Sequence, residues 1–574
     1  MPHGDNVASA NSHIIVREQR TVTLQLPLPQ LSLPLKSTHD DPLIVDIFAG
    51  FGGASLGIAW ALGREPDIAI NHDPIAIGVH AANHPRTIHY HSDVWEVCPY
   101  EVCGTRPVGL LWASPDCRHH SPAKGGRPTS KRVRSLSWVV LRWAGTVRPT
   151  VIHLENVPEI ANWGPLSARR AANGRVQRLD GSVAAPGTVT SLSDQHLHAD
   201  KRRRGITWRR FVRALRDLGY EVEWRVRRAC DVGTPTIRTR LYLVARCDGN
   251  PIVWPDPTHG DPGSEDVQSG RLQPWRTAAD IIDWSLPCPS IFLSPEEARA
   301  EGCRRPLKPA TLERLATGLW RYVISAEHPY IVQMGRRRRS APIVMPMTHS
   351  GKRRSRRIDE PMPTDTTANR GEQALVAAFI AQHNRGAVGQ NLRVPASTVT
   401  TRGTQQYLTA AYLSHQRGSG TGSGRLDRPT TAVTAGGQHH ALVRVDTSSN
   451  VDRSHQVAAF LATYYGTAIG QELRAPVQTV TTKPRQALVV VKGQPIVDIG
   501  MRMLTPRERA RAQGFPDSYI LDRTVEGRPV SLTDQGRLIG NSVCPQEAAA
   551  LVAANCGHLA RGRGRGQVNV GRVA

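Results

Sequence analysis

Four short stretches carry residue types that could do chemistry. Cys117, in 114-SPDCRHHS-121, lies just after the apolar run 108-VGLLWASPDC-117, where a sheet enzyme places its site. A thiol there becomes a nucleophile only as thiolate, a few per cent of the free group near neutral pH, and nearby cations raise that fraction. Read alone, any one of nine cysteines is more often an inert buried thiol. Glu155, in 154-LENV-157, sits at another strand end; in an apolar wall its carboxyl would have a raised pKa and could stay protonated, whereas a surface ion pair is the plainer reading. Arg238 and Arg240 alternate at the start of 236-TIRTRLYLVA-245, where they could meet an anion or a polar base edge. The stretch 46-DIFAGFGG-53 reads as strand, glycine turn and helix start, which lets backbone approach a ligand at a helix N-terminus.

Elements that would position these residues follow from periodicity. Strands are expected at 43–47, 67–70, 108–113, 150–157, 220–229 and 239–246, and helices at 54–63, 75–82 and 207–219. Strands alternating with helices predict an α/β fold with a doubly wound, mostly parallel sheet. The terminal segment 537-RLIGNSVCPQEAAALVAA-554 reads as a turn followed by a helix. Residues 164–205 form an Arg-, Gly- and Ala-rich surface insertion with little pattern.

Between about 330 and 495 a repeat appears, with Pro-led cores at 361-PMPTDT-366, 395-PASTVT-400, 429-PTTAVT-434 and 476-PVQTVT-481. Apolar returns follow at 374–380, 407–413, 441–443 and 487–491, which suggests β-hairpin units. The expected division is a flexible lead (1–40), a catalytic domain (41–325), a smaller β-rich repeat domain (326–495), a return to the catalytic domain (496–558) and a basic tail (559–574).

The chain has 574 residues and carries 73 Lys and Arg against 48 Asp and Glu, a formal charge of +25 that points to a polyanion partner. No CxxC pair occurs, so neither a structural zinc site nor any other metal is expected. No apolar run reaches the roughly 18–20 residues of a membrane span, and no basic-then-apolar leader opens the chain.

Order and spacing of these stretches resemble the C5-cytosine DNA methyltransferase family of bacterial or phage type. The 46–53 stretch resembles its donor-binding loop, 115-PDC-117 its Pro-Cys nucleophile loop, Glu155-Asn156-Val157 its Glu-Asn-Val triplet, and Arg238-x-Arg240 its Arg-x-Arg strand, with Thr236 where Gln is usual. Segments 505-TPRERARAQGFP-516 and 540-GNSV-543 resemble its last two motifs. The resemblance implies a Rossmann-like methyltransferase domain with the repeat region as target-recognition domain. It implies Cys117, Glu155, Arg238 and Arg240 as catalytic residues. S-adenosylmethionine would be held by Asp46, Phe48, Ala49, Gly50, Gly52, Gly53, Asp93, Pro115, Asn541, Ser542 and Val543, with either Asn71 or Asp73 on the ribose. The implied reaction is methylation of cytosine carbon 5 in a specific sequence of double-stranded DNA, with a flipped base and a covalent Cys–C6 intermediate. A monomer in the cytoplasm, associated with the nucleoid, and a cognate restriction endonuclease as partner belong to the same expectation. RNA methylation by the same chemistry and a non-catalytic DNA-binding role are the alternatives. Asp116 and Arg118, where the family has Pro and Gln, act on the thiol in opposite directions.

Overall fold

The computed structural model describes residues 41–116, 135–320 and 498–560, with Val323, Arg453, 456–457 and the backbone of the strands between 332 and 495. Seven strands make the central sheet: β1 (Leu43–Ile47), β2 (Ile68–Asn71), β3 (Ile88–His91), β4 (Val108–Ala113), β5 (Val151–Asn156), β6 (Glu221–Arg228) and β7 (Thr239–Arg246). Their spatial order is β3-β2-β1-β4-β5-β7-β6. The first five are parallel, and β7 is antiparallel to both β5 and β6. This is the expected α/β sheet, mostly parallel and covered on both faces.

Alternation along the strands builds two cores. Leu43, Val45, Ile47, Leu111, Ala113, Ile152 and Leu154 face one side, where helices α3 (Val139–Thr146) and α4 (Ile206–Asp217) bury Trp143, Trp208 and Phe211. Ile44, Leu110, Trp112, Val151 and Tyr242 face the other, under α1 (Gly53–Leu62) and the far C-terminal helix α7 (Pro545–Cys556). Helix α2 (Pro74–Asn83) begins at the N-cap Asp73, whose side chain accepts from the amides of Ile75 and Ala76.

β3 has no counterpart in the sequence reading. Its residues, Ile-His-Tyr-His, are an edge strand with little apolar content and only partial burial. The segment read as a turn before α7 is in fact the end of helix α6 (Leu532–Asn541), with Ser531 as its cap. Gly536 and Gly540 weaken the helical signal. Gly536 has a packing reason: a Cβ there would lie 2.2 Å from a nitrogen of the buried Arg509 guanidinium.

Helix α5 (Pro506–Ala512) opens with a capping box between Thr505 and Glu508. Glu508 is fully buried and takes two hydrogen bonds from Arg502, at 2.7 and 2.8 Å.

A second seven-stranded sheet contains Gln373–Gln382, Gln406–His415 and His440–Asp446, which fall on three of the expected apolar returns. Asp498–Met503 lies antiparallel to His440–Asp446 and bridges back to Ser290. The four Pro-led repeat cores, the lead 1–40 and the tail beyond 560 lie outside the described residues.

Candidate active site

The C-terminal ends of the parallel strands carry the candidate residues. After β1 the chain enters the glycine loop, in which Phe48, Gly50 and Gly52 all take positive φ. Positive φ is strained for Phe48 and ordinary for the glycines. Two further glycines, on α1, let backbone approach closely. A Cβ on Gly53 would lie 2.1 Å from the Val543 carbonyl oxygen, and one on Gly57 2.5 Å from that of Pro545. The loop at one end of the chain and the 541–545 turn at the other therefore meet in contact.

Between them lies a shallow cleft lined by Asp46, Phe48, Ala49, Gly50, Phe51, Gly53, Ala54, Ser114, Asn541, Ser542 and Val543. Eight of the expected donor-site residues thus share one cleft. Sequence reasoning missed Phe51, Ala54 and Ser114.

Asp46 is fully buried beneath this cleft. Ser55 Oγ donates to its Oδ2 at 2.6 Å, while Oδ1 has no hydrogen-bond partner. Burial pushes its carboxyl up to about 7, and the Ser55 bond offsets only part of that rise. Behind Ser55, His80 Nε2 lies 2.9 Å from the hydroxyl and His80 Nδ1 lies 2.8 Å from His89. Burial holds His80 well below the ordinary imidazole range and takes His84 and His89 down to about 4, so these rings are neutral near pH 7. Tyr519 from the C-terminal segment donates to the Phe51 carbonyl at 2.5 Å and locks the loop from outside.

At the end of β2, Asn71 accepts from the Asp73 amide and its Nδ2 faces Gly50, 4.0 Å from that residue's would-be Cβ. Asp73 is occupied: one oxygen caps α2 and the other takes a hydrogen bond from Arg537. Burial pushes the Asp73 carboxyl up, but the Arg537 bond and charge and two helix amides leave it below its usual range. Asp93 follows β3, and its Oδ1 accepts from the Trp95 amide. Gly52, Asn71, Asp73, Asp93 and Pro115 are not among the residues lining the cleft.

Glu155 and Arg240 meet at the ends of β5 and β7. Register pairs Glu155 with Tyr242, so Arg240 is its diagonal neighbour on the same face, within reach of a long side chain. Arg240 Nε lies 3.0 Å from Glu155 Oε1, and both residues are buried. The pair is a charge contact; no N–H is aimed along it, and Oε1 has no aligned hydrogen bond. A guanidinium rather than an apolar wall faces Glu155, because the antiparallel β7 brings Arg240 across.

Asn156 Nδ2 donates to the Pro115 carbonyl at 2.9 Å and its Oδ1 accepts from the Val157 amide. The Glu-Asn-Val end of β5 is thereby tied to the loop that leads to Cys117. Cys117 itself and residues 118–134 lie outside the described residues. Arg238 is buried and donates to the Gly540 carbonyl at 3.0 Å, which holds the 541–543 turn against β7.

A doubly wound sheet with a glycine loop after its first strand, a buried acid beneath that loop and polar residues along the strand ends is a Rossmann-like methyltransferase fold. The sequence model of the family described as C-5 cytosine-specific DNA methylase matches residues 43–164, 197–270 and 381–556. The chain belongs to that family.

Among similar proteins, Type II methyltransferase M.AquIA of Picosynechococcus sp. is 25% identical over 250 residues, 42% of this chain and 87% of that protein. Type II methyltransferase M.Sau3AI of Staphylococcus aureus is 25% identical over 213 residues, 35% of this chain and 42% of that protein. Type II methyltransferase M.NaeI of Lentzea aerocolonigenes is 27% identical over 224 residues, 38% of this chain and 44% of that protein. The matches therefore span most of the first relative and less than half of the other two. No helix among the described residues is long and apolar enough to cross a membrane, and no group of His, Cys, Asp or Glu among them could hold a metal ion.

Proposed function

We propose that this chain transfers a methyl group to carbon 5 of cytosine in a specific double-stranded DNA sequence, with S-adenosylmethionine as donor and Cys117 as nucleophile. The observation that carries the reading is the Glu155–Arg240 contact, joined through Asn156 to the Pro115 end of the nucleophile loop. The residues lining the cleft suit a donor of this kind. Asp46 Oδ1 is buried beside it without a partner, and the close packing of Gly53 on Val543 brings the glycine loop and the 541–543 turn together along it. Asp46, Phe48, Ala49, Gly50, Gly53, Asn541, Ser542 and Val543 would hold the donor, which supplies an electrophilic methyl group. Asn71 suits the ribose hydroxyls better than Asp73, whose two oxygens are engaged.

On the target side, the Cys117 thiolate adds to cytosine C6 and makes the ring nucleophilic at C5. Glu155 gives a proton to N3 as the adduct forms and takes it back when the thiolate leaves. Arg240 holds Glu155 and the pyrimidine O2. After methylation at C5, loss of the C5 proton and expulsion of the thiolate restore the aromatic ring. The base must leave the duplex for this, at a cost of a few kcal/mol. Arg238 is a positioning residue that fixes the 541–543 turn. The second sheet and its repeats read the DNA sequence, with boundaries near 326 and 495. A monomer in the cytoplasm, on the nucleoid and paired with a restriction endonuclease, completes the proposal.

Bisulfite sequencing of DNA from cells expressing the chain should show protected cytosines in one sequence context, absent with Cys117→Ser. Protection that persists in the Ser variant would overturn the nucleophile. Label appearing in transfer RNA in preference to duplex DNA would overturn the substrate.

A further inference from the structure

We propose that the 164–205 insertion and the outer face of α4 form an additional grip on the DNA backbone, flanking the target. The proposal rests on the chain being a DNA methyltransferase. The family model passes from residue 164 to residue 197, so residues 165–196 are an addition to the family's common sequence. The addition is built structure. Leu166–Ala168 pairs antiparallel with Leu197–Ala199, and bridges join Arg170 to Val176, Gln177 to Val183 and Arg178 to Gln195. Its base is clamped. A Cβ on Gly164 would lie 2.2 Å from the Arg203 carbonyl oxygen, and the Asp200 amide donates to the Pro165 carbonyl at 3.0 Å.

Position and charge both point to nucleic acid. The insertion leaves the chain after the turn Pro158–Asn162, which directly follows Glu155–Val157, so it stands at the active-site edge of the sheet. Residues 164–205 carry eight Lys and Arg against three Asp. The three carboxylates are largely used within the segment: Asp180 by Ser182, Asp194 by Ser191, and Asp200 by Arg202 and Arg203.

Lys201, Arg202 and Arg204 are exposed and pair with no carboxylate among the described residues. The next element extends the pattern. Helix α4 buries Trp208, Phe211, Val212 and Leu215, which fixes Arg209, Arg210 and Arg213 outward, also exposed and without an acidic partner among the described residues. Six cations on one clamped segment and one anchored helix repel each other in the free protein. A polyanion relieves that repulsion and releases its condensed counterions, a gain that grows with each phosphate contacted. Guanidinium groups suit phosphate oxygens in particular.

The test is binding of the full chain, saturated with S-adenosylhomocysteine, to a fluorescent 40-bp mixed-sequence duplex between 50 and 250 mM NaCl. Two triple variants are compared with wild type: K201Q/R202Q/R204Q and R209Q/R210Q/R213Q. Each should lower the slope of log K against log salt by about 2–3, since each lost phosphate contact removes roughly 0.9, and weaken binding about tenfold or more near 150 mM. Excising 167–198 and joining the ends through two glycines should raise KM for DNA and leave kcat within about twofold. Binding of S-adenosylhomocysteine, measured by calorimetry, reports that each variant is folded. Slopes and affinities equal to wild type in folded variants would overturn the grip and leave the methyltransferase reading intact. A wild-type chain that neither binds the duplex nor methylates DNA would instead overturn that underlying reading.

Discussion

Asp46 and Glu155 occupy equivalent places in the sheet and opposite electrostatic surroundings. Each is the penultimate residue of a parallel strand, each is buried, and both face the α1–α7 side. Asp46 has a hydroxyl for a neighbour and an oxygen with no partner, so its proton is held up to about 7. Glu155 has a guanidinium 3.0 Å away. Strand position alone therefore does not assign a carboxylate its task; the neighbouring strand or helix does. The glycine-loop end of the sheet keeps a carboxylate short of charge partners. The β5–β7 end supplies a cation from within the protein.

Exchanging charge for neutrality at each place probes this contrast. The largest effect is expected for Glu155→Gln, which removes the proposed acid and leaves Arg240 buried against an amide. Single-turnover methyl transfer should fall about 10²–10⁴-fold, with unfolding costs of about 3–5 kcal/mol if the buried guanidinium is left uncompensated. A rate within threefold of wild type would remove Glu155 from the chemistry.

Next in size is Gly53→Ala. Its Cβ must displace the Val543 carbonyl, so donor affinity measured by calorimetry should drop about tenfold or more and stability by about 1–3 kcal/mol. Unchanged donor affinity would separate the loop–turn contact from the donor site.

Asp46 yields a pH signature. Burial pushes its carboxyl from the ordinary carboxylate range up to about 7, so the folded state holds the proton more tightly than the unfolded state. That contribution is full below about 4 and is lost as pH rises towards 7. Asp46→Asn should therefore melt higher than wild type at pH 8, with the gap closing towards pH 5. Donor affinity of wild type should tighten between pH 5.5 and 7.5 as Asp46 ionises, and the Asn variant should lose that dependence. Parallel pH profiles for the two proteins would contradict the assignment. The smallest effect is expected for Arg537→Gln. It frees a half-exposed pair with Asp73, and should change stability by about 1 kcal/mol or less and donor KM by about two- to threefold.

The sheet was legible where strands are buried on both faces, because 43-LIVDI-47, 108-VGLLWA-113 and 239-TRLYLVAR-246 read as apolar runs. β3 was not legible: an edge strand carries little apolar signal. The glycine loop after β1 was legible from local glycines. Its buried supports, Ser55, His80 and Tyr519, were not, since they meet only once the chain has folded. Glu155 and Arg240 could be named from their motifs, but their contact depends on the register between β5 and an antiparallel β7, which no local pattern encodes. Arg537 was hidden for a similar reason: its partner lies 464 residues away.

The close packing of Gly53 and Gly57 on the Val543–Pro545 backbone also has a temporal consequence during synthesis. The two halves of this cleft are separated by some 490 positions in the chain. At roughly 5–20 residues per second, the ribosome needs on the order of 25–100 s to get from one to the other. During that interval the nascent protein has its glycine loop but not the segment that closes the cleft. The cleft is therefore completed only after residues 541–545 have been made, and a ribosome that stalls before them leaves a product whose glycine loop lacks its partner.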